Sequence, residues 1–217
     1  MTDFAQARRT MVDSQLRTGG ITDRRLLTAM GEVPRELFVP DARKGLAYID
    51  EAQPLGQGRK LGAPAPFAKL VQLAQIEGTD HVLDLGCATG YSAAVLGKLA
   101  ATVVAVEPDA ALAAEARVAL KAAGAGNVTL LEESLEKAGA AHGTYDVIVV
   151  EGVVNKVDDG ILAQLKPEGR LVALLAEPGS VPVAHLFAKS GHGVAASAAF
   201  DARLPRLGPA PDPGFVF

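Results

Sequence analysis

The sequence predicts an α/β fold: a doubly wound, mostly parallel sheet with an antiparallel C-terminal strand pair. Three observations carry this. Short apolar runs alternate with amphipathic stretches between residues 64 and 176, the pattern of strands joined by crossover helices. Runs such as YDVIVVE at 145–151 are apolar at successive positions, as in a parallel sheet covered on both faces. The last two strand candidates, VAHLFAK and GVAASAAF, have no helical pattern between them, so they return antiparallel.

Taken in order, Phe4, Met11, Val12 and Leu16 recur at helical spacing until Gly19-Gly20 stops them. Thr22 or Asp23 caps a second helix that runs through Met30. Pro34 and Pro40 bracket an irregular connector, RELFV. Residues 50–63 hold four glycines or prolines and little periodicity, and read as a loop. Pro64 opens a helix to Ile76, because proline is tolerated in a first turn. HVLDLG, TVVAVE, NVTLL, YDVIVVE and GRLVALLA then read as strands. The helices between them are YSAAVLGKLA, 109–123 and DDGILAQL, and the second of these has Asp109 as its cap and Gly124 as its stop. The final stretch, RLPRLGPAPDPGFVF, is Pro-rich and extended, with Phe215 and Phe217 expected to dock.

The 217 residues suffice for one domain with a full core. Apolar residues make up 49%, too many for a disordered chain. No apolar run approaches the roughly 20 residues that span a bilayer, and no basic-then-apolar leader opens the sequence. A single cysteine, Cys87, rules out an internal disulfide framework and fits a reducing cytoplasm. The net charge of −4 and the lack of a long basic run argue against nucleic acid as the main partner. Residues 81–160 hold 11 acids against 5 Lys or Arg, so the acidity sits mid-chain. His81, His142, His185 and His192 are scattered and show no metal-ligand spacing. Arg8-Arg9 and Arg24-Arg25 read as solvated helix faces.

VLDLGCATGY is the most informative stretch. A strand ends at Leu85, a glycine turn follows, and a helix begins near Tyr91. Glycine lets backbone approach a ligand closely. Gly86 and Gly90 are spaced with Ala88 between them, which fails the G-x-G-x-x-G dinucleotide pattern. No Gly-Lys-Ser/Thr follows, so the turn is not a phosphate loop. Glu107 ends the next strand, where a carboxylate accepts hydrogen bonds from both hydroxyls of a ribose. As a strand-end acid it is expected to matter to a ligand and little to the fold. Asp84 is placed to attract a cationic group. A ribose acid without a pyrophosphate cradle suits a nucleoside, and S-adenosylmethionine combines adenosine with a sulfonium and an amino acid tail. Cys87 lacks a nearby histidine in sequence and reads as a small packing residue.

With these residues the sequence resembles the protein-L-isoaspartate O-methyltransferases, as a divergent member, over nearly its whole length. MVDSQLRTGGI (11–21) and EVPRELFVP (32–40) resemble the family's N-terminal helical region, VLDLGCATGYSAAVLG its cofactor motif, and LKPEGRLV (165–172) the approach to its fifth strand. The resemblance implies an S-adenosylmethionine-dependent methyltransferase sheet in one domain, 1–217. Residues 1–63 would cover the site, 64–200 form the cofactor-binding core, and 201–217 make an extended tail. It places the cofactor, S-adenosyl-L-methionine, against Lys60, Leu61, Asp84, Gly86, Cys87, Ala88, Gly90, Glu107, Pro108, Ser134 and Leu135. No metal is implied. The implied partner is a protein or peptide bearing isoaspartate.

Three departures stand out. Gly62 occupies the position of the family's active-site serine, in KLGAPA (60–65). Glu133-Ser134-Leu135 replaces a G-D-G near the adenine. Glu151-Gly152 puts an acid where the family is usually neutral. An isoaspartyl carboxylate, with a pKa of roughly 4, is already ionised at neutral pH, so methyl transfer needs no general base. Positioning and exclusion of water supply the rate. Backbone N–H groups of Gly62 and Ala63 can orient the acceptor. The first expectation is therefore a carboxyl methyltransferase. The alternatives are a methyltransferase with another acceptor and a non-catalytic protein that binds S-adenosylmethionine or S-adenosylhomocysteine.

Overall fold

A computed structural model describes residues 3–56, 58–136, 138–177 and 179–207. The expected docking of Phe215 and Phe217 lies outside these residues. Seven strands form one sheet: β3 (His81–Leu85), β4 (Thr102–Val106), β5 (Val128–Leu131), β6 (Tyr145–Val154), β7 (Leu165–Leu175), β8 (Val183–Ser190) and β9 (Gly193–Asp201). Their spatial order is β5-β4-β3-β6-β7-β8-β9. The first five are parallel, and β8 and β9 each run antiparallel to the preceding strand. The predicted sheet with its antiparallel ending is therefore present. Strand order reverses at β3, and the crevice between β3 and β6 at their carboxyl ends is where such sheets bind ligands.

One face packs on α3 (Pro64–Ala74), α4 (Tyr91–Leu99) and the N-terminal helices α1 (Phe4–Met11) and α2 (Arg24–Glu32), through side chains such as Leu16, Leu26, Met30, Leu70 and Leu96. A further helix, α5 (Ala110–Ala122), lies between β4 and β5. The other face buries Leu83, Val104, Val106, Tyr145 and Ile148. Its cover is thinner than the sequence suggests. Among the described residues the links there hold only a short 3₁₀ turn at Ala140–His142 and the four-residue α6 (Asp159–Leu162), the latter cut short because β7 begins at Leu165. Among the described residues, no helix is long and apolar enough to cross a membrane.

Local chemistry explains most helix ends. Asp3, Asp23 and Asp109 each accept backbone N–H groups in the first turn of their helices. Thr22 is not the cap of α2; its N–H and that of Asp23 donate to Gln72. The first predicted helix does not run unbroken. It passes into a wide π-helical turn at Val12–Leu16, a distortion common at functional segments. The predicted loop at 50–63 contains an antiparallel pair, β1 (Gln53–Gly56) and β2 (Arg59–Leu61). Gly56, ending β1, and Gly58, just before β2, take positive φ, and strands of four and three residues are too short for a periodicity test to find.

In each arginine pair one member departs from the reading of solvated faces; Arg9 and Arg24 are exposed as expected. Arg8 donates to Tyr48 and to the Glu32 carbonyl. Arg25 donates to the carbonyls of Ile76 and Leu99. Arg8 ties N-terminal elements to one another and Arg25 ties α2 to the core, while Arg9 bonds Gln6 of its own helix.

Candidate active site

The glycine turn leaves β3 at the sheet's reversal point. Gly86 and Gly90 have φ of +83° and +91°, which glycine alone adopts without cost. Ala88 also has positive φ, +51°, so the turn is held by its surroundings. Gly86 and Cys87 donate their N–H groups to the Val106 carbonyl, and Thr89 donates to the Phe38 carbonyl at 2.6 Å. Cys87 is buried, and its thiol is pushed well up by burial and by the carboxylates of Asp84, Glu107 and Glu151. That agrees with a packing role.

Two buried carboxyl groups flank the turn. Asp84 is fully covered. Its Oδ2 accepts from Ser92 at 2.7 Å, and its Oδ1 meets no hydrogen-bond donor among the described residues. Burial raises its pKa to about 7; the Ser92 hydroxyl opposes that rise and the Glu107 charge adds to it. Glu107 is also fully covered. It accepts from Arg59 Nη1 at 2.7 Å and Nη2 at 2.8 Å, from the Ala88 N–H at 2.8 Å and from the Asp109 N–H at 3.0 Å. The acid is thus part of the fold as well as of the site, contrary to the expectation that it matters little to the fold. Arg59 carries no signal in the sequence, because it falls in a three-residue strand. Period-two alternation on β2 sends Arg59 toward Glu107 and leaves Lys60 exposed on the other side. Lys60 lines an open surface cleft with Asp50, Glu51 and Arg203.

The third wall is Gly62, with Leu61 buried beside it. The Gly62 carbonyl accepts from Arg35 Nη2 at 2.5 Å. Arg35 is wholly buried, donates to the Ala47 carbonyl at 2.7 Å and stacks over the Tyr91 ring at 4.5 Å. Its Nη1 has no partner among the described residues. Burial lowers its pKa. Neither Arg35 nor Tyr91 was singled out by sequence; their signal is a PREL-type connector and an aromatic at a helix start, both easily read as structural.

A strap at residues 204–207 packs over these glycines. Pro205 O accepts from the Val153 N–H at 2.9 Å, and the Leu207 N–H donates to Val153 O at 3.0 Å. Leu207 fills the space that a side chain at Gly86 or Gly152 would take, approaching within 2.7 Å of either Cβ position. Leu204 does the same at Gly62, also at 2.7 Å. Pro108 and Ser134 are exposed, and Leu135 is half-buried. Glu133 turns to accept from the Gly139 N–H at 3.2 Å. Leu135 lines a small apolar cavity of about 90 Å³ with Leu85, Val150, Val157, Ile161 and Leu207. Leu207 therefore borders both that cavity and the glycine turn.

A parallel sheet reversing at β3, with a glycine turn and a second acid at the next strand end, defines an α/β nucleoside-type site. The profile described as Protein-L-isoaspartate(D-aspartate) O-methyltransferase (PCMT) matches residues 6–200. A protein-L-isoaspartate O-methyltransferase of Koribacter versatilis (strain Ellin345) is 38% identical over 178 residues, covering 82% of this chain and 80% of that protein. One from Methylorubrum extorquens (strain PA1) is 39% identical over 177 residues, covering 82% and 77%. The chain belongs to the protein-L-isoaspartate(D-aspartate) O-methyltransferase family. Among solved structures, a Plasmodium falciparum protein described as a candidate member of that class, in complex with S-adenosyl-L-homocysteine, superposes with a TM-score of 0.80 at 18% identity, covering 93% of this chain and 98% of that one. Another protein-L-isoaspartate O-methyltransferase gives 0.82 at 23%, covering 93% and 66%. At these identities the structural likeness is one of fold.

Proposed function

We propose that this chain transfers a methyl group from S-adenosylmethionine to a carboxylate of damaged, isoaspartyl-containing protein. The observation that carries the reading is the pair of buried carboxyl groups at the glycine turn. Asp84 keeps one buried oxygen without a donor among the described residues, and this fits the cationic end of the cofactor. Glu107 already holds two N–H donors from one guanidinium, which fits the two hydroxyls of a ribose. Gly86, Cys87, Ala88 and Gly90 would lie against the ligand as bare or nearly bare backbone. Leu61, Pro108, Ser134 and Leu135 border the space further out, and Lys60 lies on its outer rim.

The cofactor supplies an electrophilic methyl that passes to a carboxylate oxygen while its bonding electrons stay on sulfur. The chain's own part is to hold and shield. Asp84 fixes the cation, Glu107 fixes the sugar, and the Gly62–Ala63 backbone faces the acceptor. The strap residues Leu204, Pro205 and Leu207 exclude water, which strengthens every charged contact beneath them. No side chain has to take a proton, since the acceptor is already ionised. The single buried cysteine supports a reducing, cytoplasmic setting. Methyl transfer from labelled cofactor to an isoaspartyl peptide tests the reading.

A further inference from the structure

Glu151 is a carboxyl group that the mechanism above does not use. It lies where the pairing of β6 with β7 is irregular, between Val149 and Val153. Such irregularities re-aim side chains beside active sites. Val149 pairs with Asp84 on β3, so Glu151 stands two residues beyond Asp84's neighbour, at the carboxyl edge of the ligand crevice. The next residue, Gly152, lies bare under Pro205 and Leu207 of the same strap that covers Gly62. Glu151 and Gly62 therefore share one roof.

The side chain is half-buried, yet its Oε1 is covered and meets no partner among the described residues. Three titratable groups face it: Asp84 from β3, Cys87 from the glycine turn and Arg35 from the N-terminal connector. Arg35 acts on it by charge only; among the described residues the two form no ion pair. Gly62 itself offers no side-chain donor, and the guanidinium behind it, Arg35, already gives one nitrogen to the Gly62 carbonyl.

We propose that Glu151 positions the acceptor in this site, donating its carboxyl O–H to the carboxylate that receives the methyl group. The proposal rests on the methyltransferase reading given above. Burial and the Asp84 charge hold Glu151 well above the usual carboxylate range, outweighing Arg35. An un-ionised carboxyl does not repel an anionic acceptor, and it supplies the donor that Gly62 lacks. Its proton stays on Glu151 throughout. The donor exists below the Glu151 pKa and disappears as pH rises through it, so acceptor binding fails on the alkaline side.

The test is initial rates on an isoaspartyl peptide across pH, for wild type, Glu151→Gln and Glu151→Ala, with S-adenosylhomocysteine affinity measured by calorimetry. Glu151→Gln keeps a donor that does not ionise. It should hold KM within about threefold of wild type and lose the alkaline rise in KM. Glu151→Ala should raise KM about tenfold or more, with product affinity changed by less than about twofold. If Glu151→Ala does not fold, the pH profile of Glu151→Gln decides alone. An unchanged KM in Glu151→Ala, or an alkaline limb that persists in Glu151→Gln, overturns the proposal and leaves the methyltransferase reading standing. A folded, product-binding Glu151→Gln that turns over nothing would mean an ionised Glu151 acts as a base, and also overturns it. If the wild type binds the product but methylates no isoaspartyl peptide, the isoaspartyl reading fails and takes this proposal with it.

Discussion

Arg59 grips Glu107 with both terminal nitrogens, at 2.7 and 2.8 Å, on the carboxylate proposed to hold a ribose. The same guanidinium reaches toward the Gly86 carbonyl at 3.5 Å. A ligand's hydroxyls must replace this pair to reach Glu107. Arg59 thus compensates a buried charge when no ligand is bound, and competes with the ligand when one arrives. Arg59→Gln should tighten S-adenosylhomocysteine binding about tenfold by calorimetry, while lowering the melting temperature of the free protein. Weaker binding in that variant would instead make Arg59 a ligand contact.

Glu107→Ala should weaken cofactor binding by roughly 1–3 kcal/mol, the usual cost of losing hydrogen bonds to a charged group. Because Glu107 also holds Ala88, Asp109 and Arg59, chemical denaturation should show a loss of stability of similar size. An unchanged affinity would move the ribose away from this acid.

Gly62→Ser would put a hydroxyl on the proposed acceptor wall, but a Cβ there meets Leu204 Cδ2 at 2.7 Å. The end of a leucine can give way at modest cost. We expect the single variant to gain little turnover on an isoaspartyl peptide. Gly62→Ser combined with Leu204→Ala should exceed both single variants, by about tenfold over Leu204→Ala alone, the worth of one orienting hydrogen bond. A double variant no faster than Leu204→Ala would remove Gly62 from the acceptor wall.

Asp84 gives a pH signature. Its pKa is raised from 3.8 to about 7 by burial, so the folded state holds a proton that the unfolded chain releases. The stability from this group is complete below the unfolded value and is lost as pH rises toward about 7. A cationic ligand prefers the ionised form. Binding of S-adenosylmethionine should therefore release a proton at pH values below that point and tighten as pH rises through it. Calorimetry in buffers of different ionisation heat reads this directly, and Asp84→Asn should abolish the proton release. Release that persists in Asp84→Asn would assign the proton to another group.

Much of this was legible in the sequence. The alternation of apolar runs with amphipathic stretches gave the parallel strands because each must be buried on both faces. Asp109 and Gly124 bounded a helix because their chemistry is local. What escaped was non-local or too short to be periodic. Arg59 lies in a three-residue strand, and only the folded hairpin brings it to Glu107, 48 positions away. Leu204, Pro205 and Leu207 read as a Pro-rich tail, yet their backbone is stitched to Val153. Arg35 reads as part of a connector, and no pattern reveals that it is buried against Tyr91 and the Gly62 carbonyl. The sequence marked Asp84, Glu107, Gly62 and Glu151 one by one. It did not show that one strap roofs Gly62 and the Gly152 beside Glu151.

The reaction proposed for this protein is methyl transfer to an isoaspartyl carboxylate. The most direct measurement is incorporation of label from methyl-labelled S-adenosylmethionine into an isoaspartyl peptide, set against the same peptide with a normal aspartyl linkage. An isoaspartyl methyltransferase puts label on the isoaspartyl peptide alone, released by mild base as expected of a methyl ester. Label on neither peptide, from a folded protein that binds S-adenosylhomocysteine, would contradict it.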